Sequence, residues 1–486
     1  MEKQKKKSGI VLLISSVIAK GLGVFYRIPL FALLAIESVG IYQLVFPVYA
    51  FLVSIISGGL PVSISKNVSE FLSAENIAKA EKTTDSALVF FGGIALVAVV
   101  VLLAFPAYVS EFLGNTSAKN SIITIAPAIL FACIIAVLRG YFQGERKWGI
   151  VGFSFISEQL LKCVGILFLL FDTKIGVVGA ILGVTIAETL TAICMLVLYF
   201  NKRQSKFSLS LPSKAFIVYC VSVSIGLIAM PLNSFIDGIA VVNLLSKQYS
   251  KSVATGLYGI MSGAVAPLIS VPFVITSSFT AYLLPVLCTT KEKERRAVFN
   301  EKSKLIIFFA SIFACSFFVF APVIVKTLYP TLQNHDFKVC VNLIKTASPI
   351  VLTSTLLAII TTYLQSVNKP FLPALFLFVG VGVKTLILPF CISYFSIYGA
   401  QIANVVVYVV AFVLCCVFAV RCGFAFSLKA LIVLSGGIAL FFTLSFAIYS
   451  LFPSLLGCVL AFLVGASLSL AFVLSIYKVK IVQKEH

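Results

Sequence analysis

The sequence predicts an all-α polytopic membrane protein of 14 transmembrane helices. In this reading two parallel six-helix lobes related by pseudo-twofold symmetry are followed by two extra C-terminal helices. Three observations carry that expectation. Hydrophobic residues are 60% of the 486 and charged residues only 11%, too little charge for a chain of this length to cover a water-facing surface. Apolar stretches of spanning length recur along the whole chain. Lys and Arg fall on alternate connections between them, which is the positive-inside pattern.

The stretches fall at about 9–36, 40–71, 84–106, 119–143, 149–171, 175–200, 214–246, 253–287, 303–327, 339–366, 371–391, 396–421, 428–450 and 454–477. Charge clusters, Pro, Gly and Asn bound them. Several exceed the ~20 residues that cross a hydrocarbon core, so those helices tilt, bend or project. Pro29, Pro47, Pro61, Pro231, Pro267 and Pro272 lie inside such stretches, where each removes a backbone hydrogen bond and can kink its helix. The basic run Lys3–Lys7 leads into an apolar run too long for a signal-peptide core, and reads as a tail before the first helix.

With the N-terminus placed inside, 26 Lys and Arg fall at inner ends, 6 at outer ends, and 5 within helices. That bias puts both termini in the cytoplasm of a cell bearing this protein in its plasma membrane. It also accounts for the formal charge of +20, so no nucleic-acid partner is expected. All 12 cysteines lie in or beside apolar segments without a C-x-x-C pair, the pattern of small packed hydrophobes.

A weak internal repeat divides the chain. Gly40-Ile41-Tyr42 and Gly256-Leu257-Tyr258 open stretches two and eight. Gln143 and Gln365 close stretches four and ten, and Gly179-Ala180 and Gly399-Ala400 open six and twelve. The near-equal offsets imply lobes at 1–210 and 211–425, with 426–486 holding the last two helices and a tail. An even number of helices per lobe makes the repeat parallel.

Candidate functional residues are the charges at membrane depth. Each costs ~2.5–3.5 kcal/mol on insertion scales, so each should face a partner or a wet cavity. Lys20 and Arg27 lie seven residues apart on nearly one face of the first helix, a spacing suited to an extended anion, with Arg27 able to grip a phosphate through two parallel bonds. Glu158 and Lys162 form an i,i+4 pair that reads either as structural or as part of a binding site. Glu188 and Asp237 are candidates for binding a coupling proton or sodium ion. Lys345 and Lys384 complete a buried set of five cations against three anions, which favours an anionic cargo. No His-based metal or catalytic site and no phosphate-cradling loop is present, so no cofactor, metal or enzymatic activity is expected. Asn115-Thr116-Ser117 is a formal glycosylation sequon.

Particular local sequences carry a family resemblance. Ala19-Lys20-Gly21-Leu22-Gly23, Tyr26-Arg27-Ile28-Pro29, Gly40-Ile41-Tyr42-Gln43-Leu44, and the run from Gly59 to Lys66 resemble the stage V sporulation protein B and polysaccharide transporter group. So do 138–144 (L-R-G-Y-F-Q-G), Glu158-Gln159, Phe235-Ile236-Asp237 and 272–276 (P-F-V-I-T). That group sits in the multidrug/oligosaccharidyl-lipid/polysaccharide exporter (MOP) superfamily beside MurJ-type lipid II flippases.

The resemblance implies a flippase for an undecaprenyl-diphosphate-linked glycan, whether lipid II, a polysaccharide precursor or a spore-cortex precursor. Lys20 and Arg27 would hold the diphosphate, with Lys162 and Lys384 in support. Cell-wall synthesis proteins would be possible partners. The alternatives are a MATE-type drug or cation antiporter, which would show an anionic cavity, a membrane-embedded glycosyltransferase, which would need an acid in a sizeable outer loop, and a non-transporting scaffold for wall or spore assembly.

Overall fold

A computed structural model describes residues 26–170, 176–424 and 428–482, preceded by 15, 18–19 and 21–23. It is built of helices throughout the described residues. Twelve helical stretches there are long and apolar enough to cross a membrane. Lys20 and the beginning of the first expected span lie outside the described residues, and the described end of that span holds α1 (Arg27–Leu33).

The second expected span is two helices, α2 (Ile36–Ser57) and α3 (Leu60–Ser73). Pro61 therefore stands in the first turn of a new helix, where a missing N–H costs nothing. It does not kink a continuous one. Then follow α4 (Ile77–Ala104), the short α5 (Pro106–Phe112), α6 (Lys119–Gly144), α7 (Trp148–Leu170) and α8 (Gly176–Lys202). After an extended connection come α9 (Lys214–Leu245) and α10 (Lys251–Gly259). One π-helical segment, Ile260–Val265, joins α10 to α11 (Ala266–Thr289); such segments add a residue to a turn and mark a local change of winding.

The chain continues through α12 (Glu292–Leu328), α13 (Asn334–Ser366), α14 (Phe371–Arg421), α15 (Leu428–Leu451) and α16 (Leu455–Val482). The 51 residues of α14 cover two expected spans. Ser396 breaks them with φ 50 and ψ −137, left-handed backbone that a non-glycine residue adopts only where a turn demands it. The two arms fold back on each other, because Gly380 sits against the carbonyl of Val407 and Gly399 against that of Cys391. The stretch is thus a helical hairpin with two crossings.

Contacts divide the chain into two compact units, 1–263 and 264–486. Here α9 and α10 lie against α2 and so pack with the first unit. Within that unit a close seam joins α6 to α3. A β-carbon on Gly140 would lie 2.8 Å from that of Ile64, and one on Gly144 would lie 2.7 Å from Val68 and 2.9 Å from the Ser65 carbonyl. Gly140 and Gly144 form a small-x-x-x-small pair, which in lipid gains its energy from close van der Waals approach. In the second unit α15 and α16 pack on α12, with Phe308, Phe441 and Val473 in their shared core.

Replacing Gly140 or Gly144 by Leu is expected to overpack this seam by ~1–3 kcal/mol. The detergent-solubilised melting temperature should fall for either variant, and stay unchanged for Gly92→Leu, whose site has open space around it. An unchanged melting temperature in both seam variants would contradict the packing described.

Candidate functional site

Helices α2, α6, α7 and α8 each deliver one or more polar side chains to a single buried cluster. The Lys162 ammonium on α7 donates to Glu158 Oε1 at 2.6 Å and to Glu188 Oε1 of α8 at 2.7 Å. Glu188 Oε1 also accepts from the Tyr49 hydroxyl of α2 at 2.6 Å. Glu158 Oε2 accepts from Arg139 Nη2 of α6 at 2.7 Å. Arg139 is fixed further by Ser154, through Nε to the hydroxyl and Nη2 to the carbonyl, and by the Phe155 ring 4.0 Å from its guanidinium carbon. Helical spacing explains the arrangement: Ser154, Glu158 and Lys162 fall at i, i+4 and i+8 on one stripe of α7.

The cluster borders a cavity of about 370 Å³ inside the first unit, lined also by Ser54, Ser57 and Gln143. Two cations face two carboxylates, so the network is formally neutral. Its members bear unequal shares, since Glu158 is bonded to both cations and Glu188 to Lys162 alone.

Arg27 opens α1 and lies with its guanidinium carbon 6.0 Å from the centre of the Phe46 ring. Its Nε is buried without a hydrogen-bond partner. None of the ion pairs among the described residues involves it. Tyr42 and Gln43, buried nearby in α2, likewise each hold a polar atom without a partner. Lys20 lies outside the described residues. Asp237 is buried in α9, and Lys384 is fully buried in α14 of the second unit. Thus Lys162 and Glu188 meet directly, while Asp237 and Lys384 belong to other surroundings.

Two features escaped the sequence reading. Arg139 belongs by sequence to the charges at an inner helix end, yet its side chain turns into the cluster. The signal was its place four residues before Gln143 on one face of α6. Glu81 and Asp85 on α4 are fully buried, although the sequence places them at the edge of an apolar run. Asn115 is only 4% exposed, and its amide donates to Thr255 Oγ1 at 2.9 Å, so the sequon is part of the packing.

A helical membrane protein with a polar cavity inside its bundle has the makings of a membrane transporter. The structure matches that of the lipid II flippase MurJ in an inward closed conformation with TM-score 0.76 and 15% identity, over 97% of this chain and 100% of that one. It matches an inward-facing multidrug resistance MATE family transporter of the MOP superfamily with TM-score 0.68 and 15% identity, over 85% and 98%. The fold is therefore that of MOP-superfamily transporters. The chain belongs to the polysaccharide biosynthesis protein family, whose model matches residues 6–291. Stage V sporulation protein B of Bacillus subtilis is 24% identical over 400 residues, 78% of this chain and 76% of that protein. The lipid II flippase MurJ of the same organism is 22% identical over 448 residues, 84% and 81% respectively.

Removing one partner from a buried ion pair leaves a charge uncompensated at a cost of ~3–5 kcal/mol. Lys162→Met should therefore destabilise the protein strongly, and Lys162→Met combined with Glu188→Gln should recover part of the loss. Thermal unfolding in detergent checks this. A double variant as unstable as the sum of its singles would mean that the two residues are not coupled.

Proposed function

We propose that this protein is a flippase that carries an undecaprenyl-diphosphate-linked glycan precursor from the inner to the outer leaflet of the plasma membrane, with both its termini in the cytoplasm. The observation that carries the reading is Arg27. It is a guanidinium at the start of the short apolar helix α1 with a buried, unpartnered Nε and no acid paired to it among the described residues. A permanently charged fork kept at membrane depth is suited to a diphosphate, which it meets through parallel charge-assisted bonds. Lys20 would act beside it, and Lys162 and Lys384 would support the headgroup while the lipid tail stays in the bilayer. The names of the sporulation protein and of the lipid II flippase similar to this chain point to the same class of cargo.

Glu188 is the stronger candidate for ion coupling, with Asp237 as the alternative. The cluster around Lys162 is neutral, so an anion entering it brings uncompensated charge unless a cation accompanies it. A proton on Glu188 would remove that residue's claim on Lys162, leaving the ammonium paired to Glu158 alone and the cluster one positive charge in excess for the cargo.

The test is flipping in liposomes with fluorescent lipid II and, in parallel, other undecaprenyl-diphosphate-linked sugars. Arg27→Ala is expected to reduce flipping at least tenfold without changing the melting temperature, and Lys20→Ala/Arg27→Ala to abolish it. Flipping at the normal rate in the double variant would sink the proposed diphosphate site. A wild-type protein that flips none of these lipids would sink the cargo assignment itself.

A further inference from the structure

The connection between α8 and α9 runs as an extended ribbon, and its order is bought at an unusual site. Glu81 and Asp85 lie on one face of α4 with no exposure at all. Two carboxylates withdrawn from water need full sets of donors. The ribbon supplies most of them. Glu81 accepts from the backbone N–H of Gln204 at 2.8 Å and of Ser205 at 2.8 Å, and from the Ser205 hydroxyl. Asp85 accepts from the N–H of Ser208 at 2.9 Å, from Arg203 Nη2 at 3.0 Å, and from the Tyr199 hydroxyl at 2.7 Å. Arg203 bonds back to the Ser205 carbonyl at 2.8 Å and lies 5.4 Å from the Phe207 ring. The backbone from 203 to 208 is thereby clamped in one conformation.

That conformation sorts the following side chains by parity, as extended backbone must. Ser208 and Ser210 turn inward and bond to each other at 3.2 Å. Phe207, Leu209 and Leu211 turn outward with 42%, 83% and 75% of their surface exposed. Three large apolar side chains in a row on a clamped ribbon are costly to hold in water. Lys202, Lys206 and Lys214 flank them, and no acid occurs from 202 to 214. The ribbon also runs straight out of one membrane-crossing helix and into another, which places it at the level where hydrocarbon gives way to headgroups.

We propose that the 203–211 ribbon is a lipid-docking surface. Phe207, Leu209 and Leu211 enter the boundary between headgroups and acyl chains, and the flanking cations engage the phosphates of anionic lipids. Glu81 and Asp85 serve as positioning residues, holding the ribbon so that its apolar row faces the bilayer. This goes beyond the flippase reading and does not depend on the cargo.

The chain has one tryptophan, which makes the test direct. Trp148→Phe/Leu209→Trp and Trp148→Phe/Leu211→Trp are each reconstituted, as full-length protein, into vesicles of phosphatidylcholine and phosphatidylglycerol. Emission is expected to be blue-shifted, quenched at least twofold by lipids brominated near the carboxyl end of the acyl chain, and insensitive to aqueous iodide. Quenching by iodide without quenching by the brominated lipids would overturn the proposal. Resistance to both quenchers would overturn it as well, because the row would then be covered by protein.

Discussion

One ammonium group shared between two buried carboxylates organises the first unit. Lys162 cannot leave Glu158 and Glu188 without stranding charge in a medium that solvates it poorly. The helices that carry its partners, and those of its partners, are thereby set: α7 and α8 directly, α2 through the Tyr49 hydroxyl, and α6 through Arg139. A cavity at this junction is lined by fixed dipoles and charges whose sum is zero. Such a site responds to added charge of either sign by redistributing bonds among its own members, which is a useful property for a cavity that fills and empties.

The fold was largely legible from the sequence because lipid imposes few solutions. Backbone groups at membrane depth must be satisfied within a helix, so length and hydropathy reveal helices with little ambiguity. What stayed hidden were features made by backbone detail. The break between α2 and α3 falls at Gly58 and Gly59, where the N–H of Gly59 is taken up by the Ser224 hydroxyl of α9 at 2.9 Å. That bond joins residues 165 apart, and hydropathy says nothing of it. The π-helical turn at Ile260–Val265 and the Ser396 hairpin are equally invisible to a measure that averages over windows.

The candidate site was legible in part. Buried Lys and Glu stand out in apolar runs, so Glu158, Lys162 and Glu188 were found, and the spacing of the first two predicted their contact. Arg139 was missed because a helix end in sequence is not the end of a side chain. A long cation near an interface can reach back along the helix by several ångströms, and serine and aromatic neighbours decide which way it goes. Glu81 and Asp85 were missed for the converse reason: their partners are mostly backbone N–H groups, which any residue type supplies and no motif announces.

The seam of Gly140 and Gly144 has a mechanical consequence. Helices in contact through bulky side chains can slide or roll a little by changing rotamers. Here α6 meets α3 with almost no side chain between the two backbones, so no rotamer is available to absorb a shear. The pair behaves as a single strut. Any change of shape in this half of the molecule must then pass through its broken or unwound segments and leave that strut undeformed.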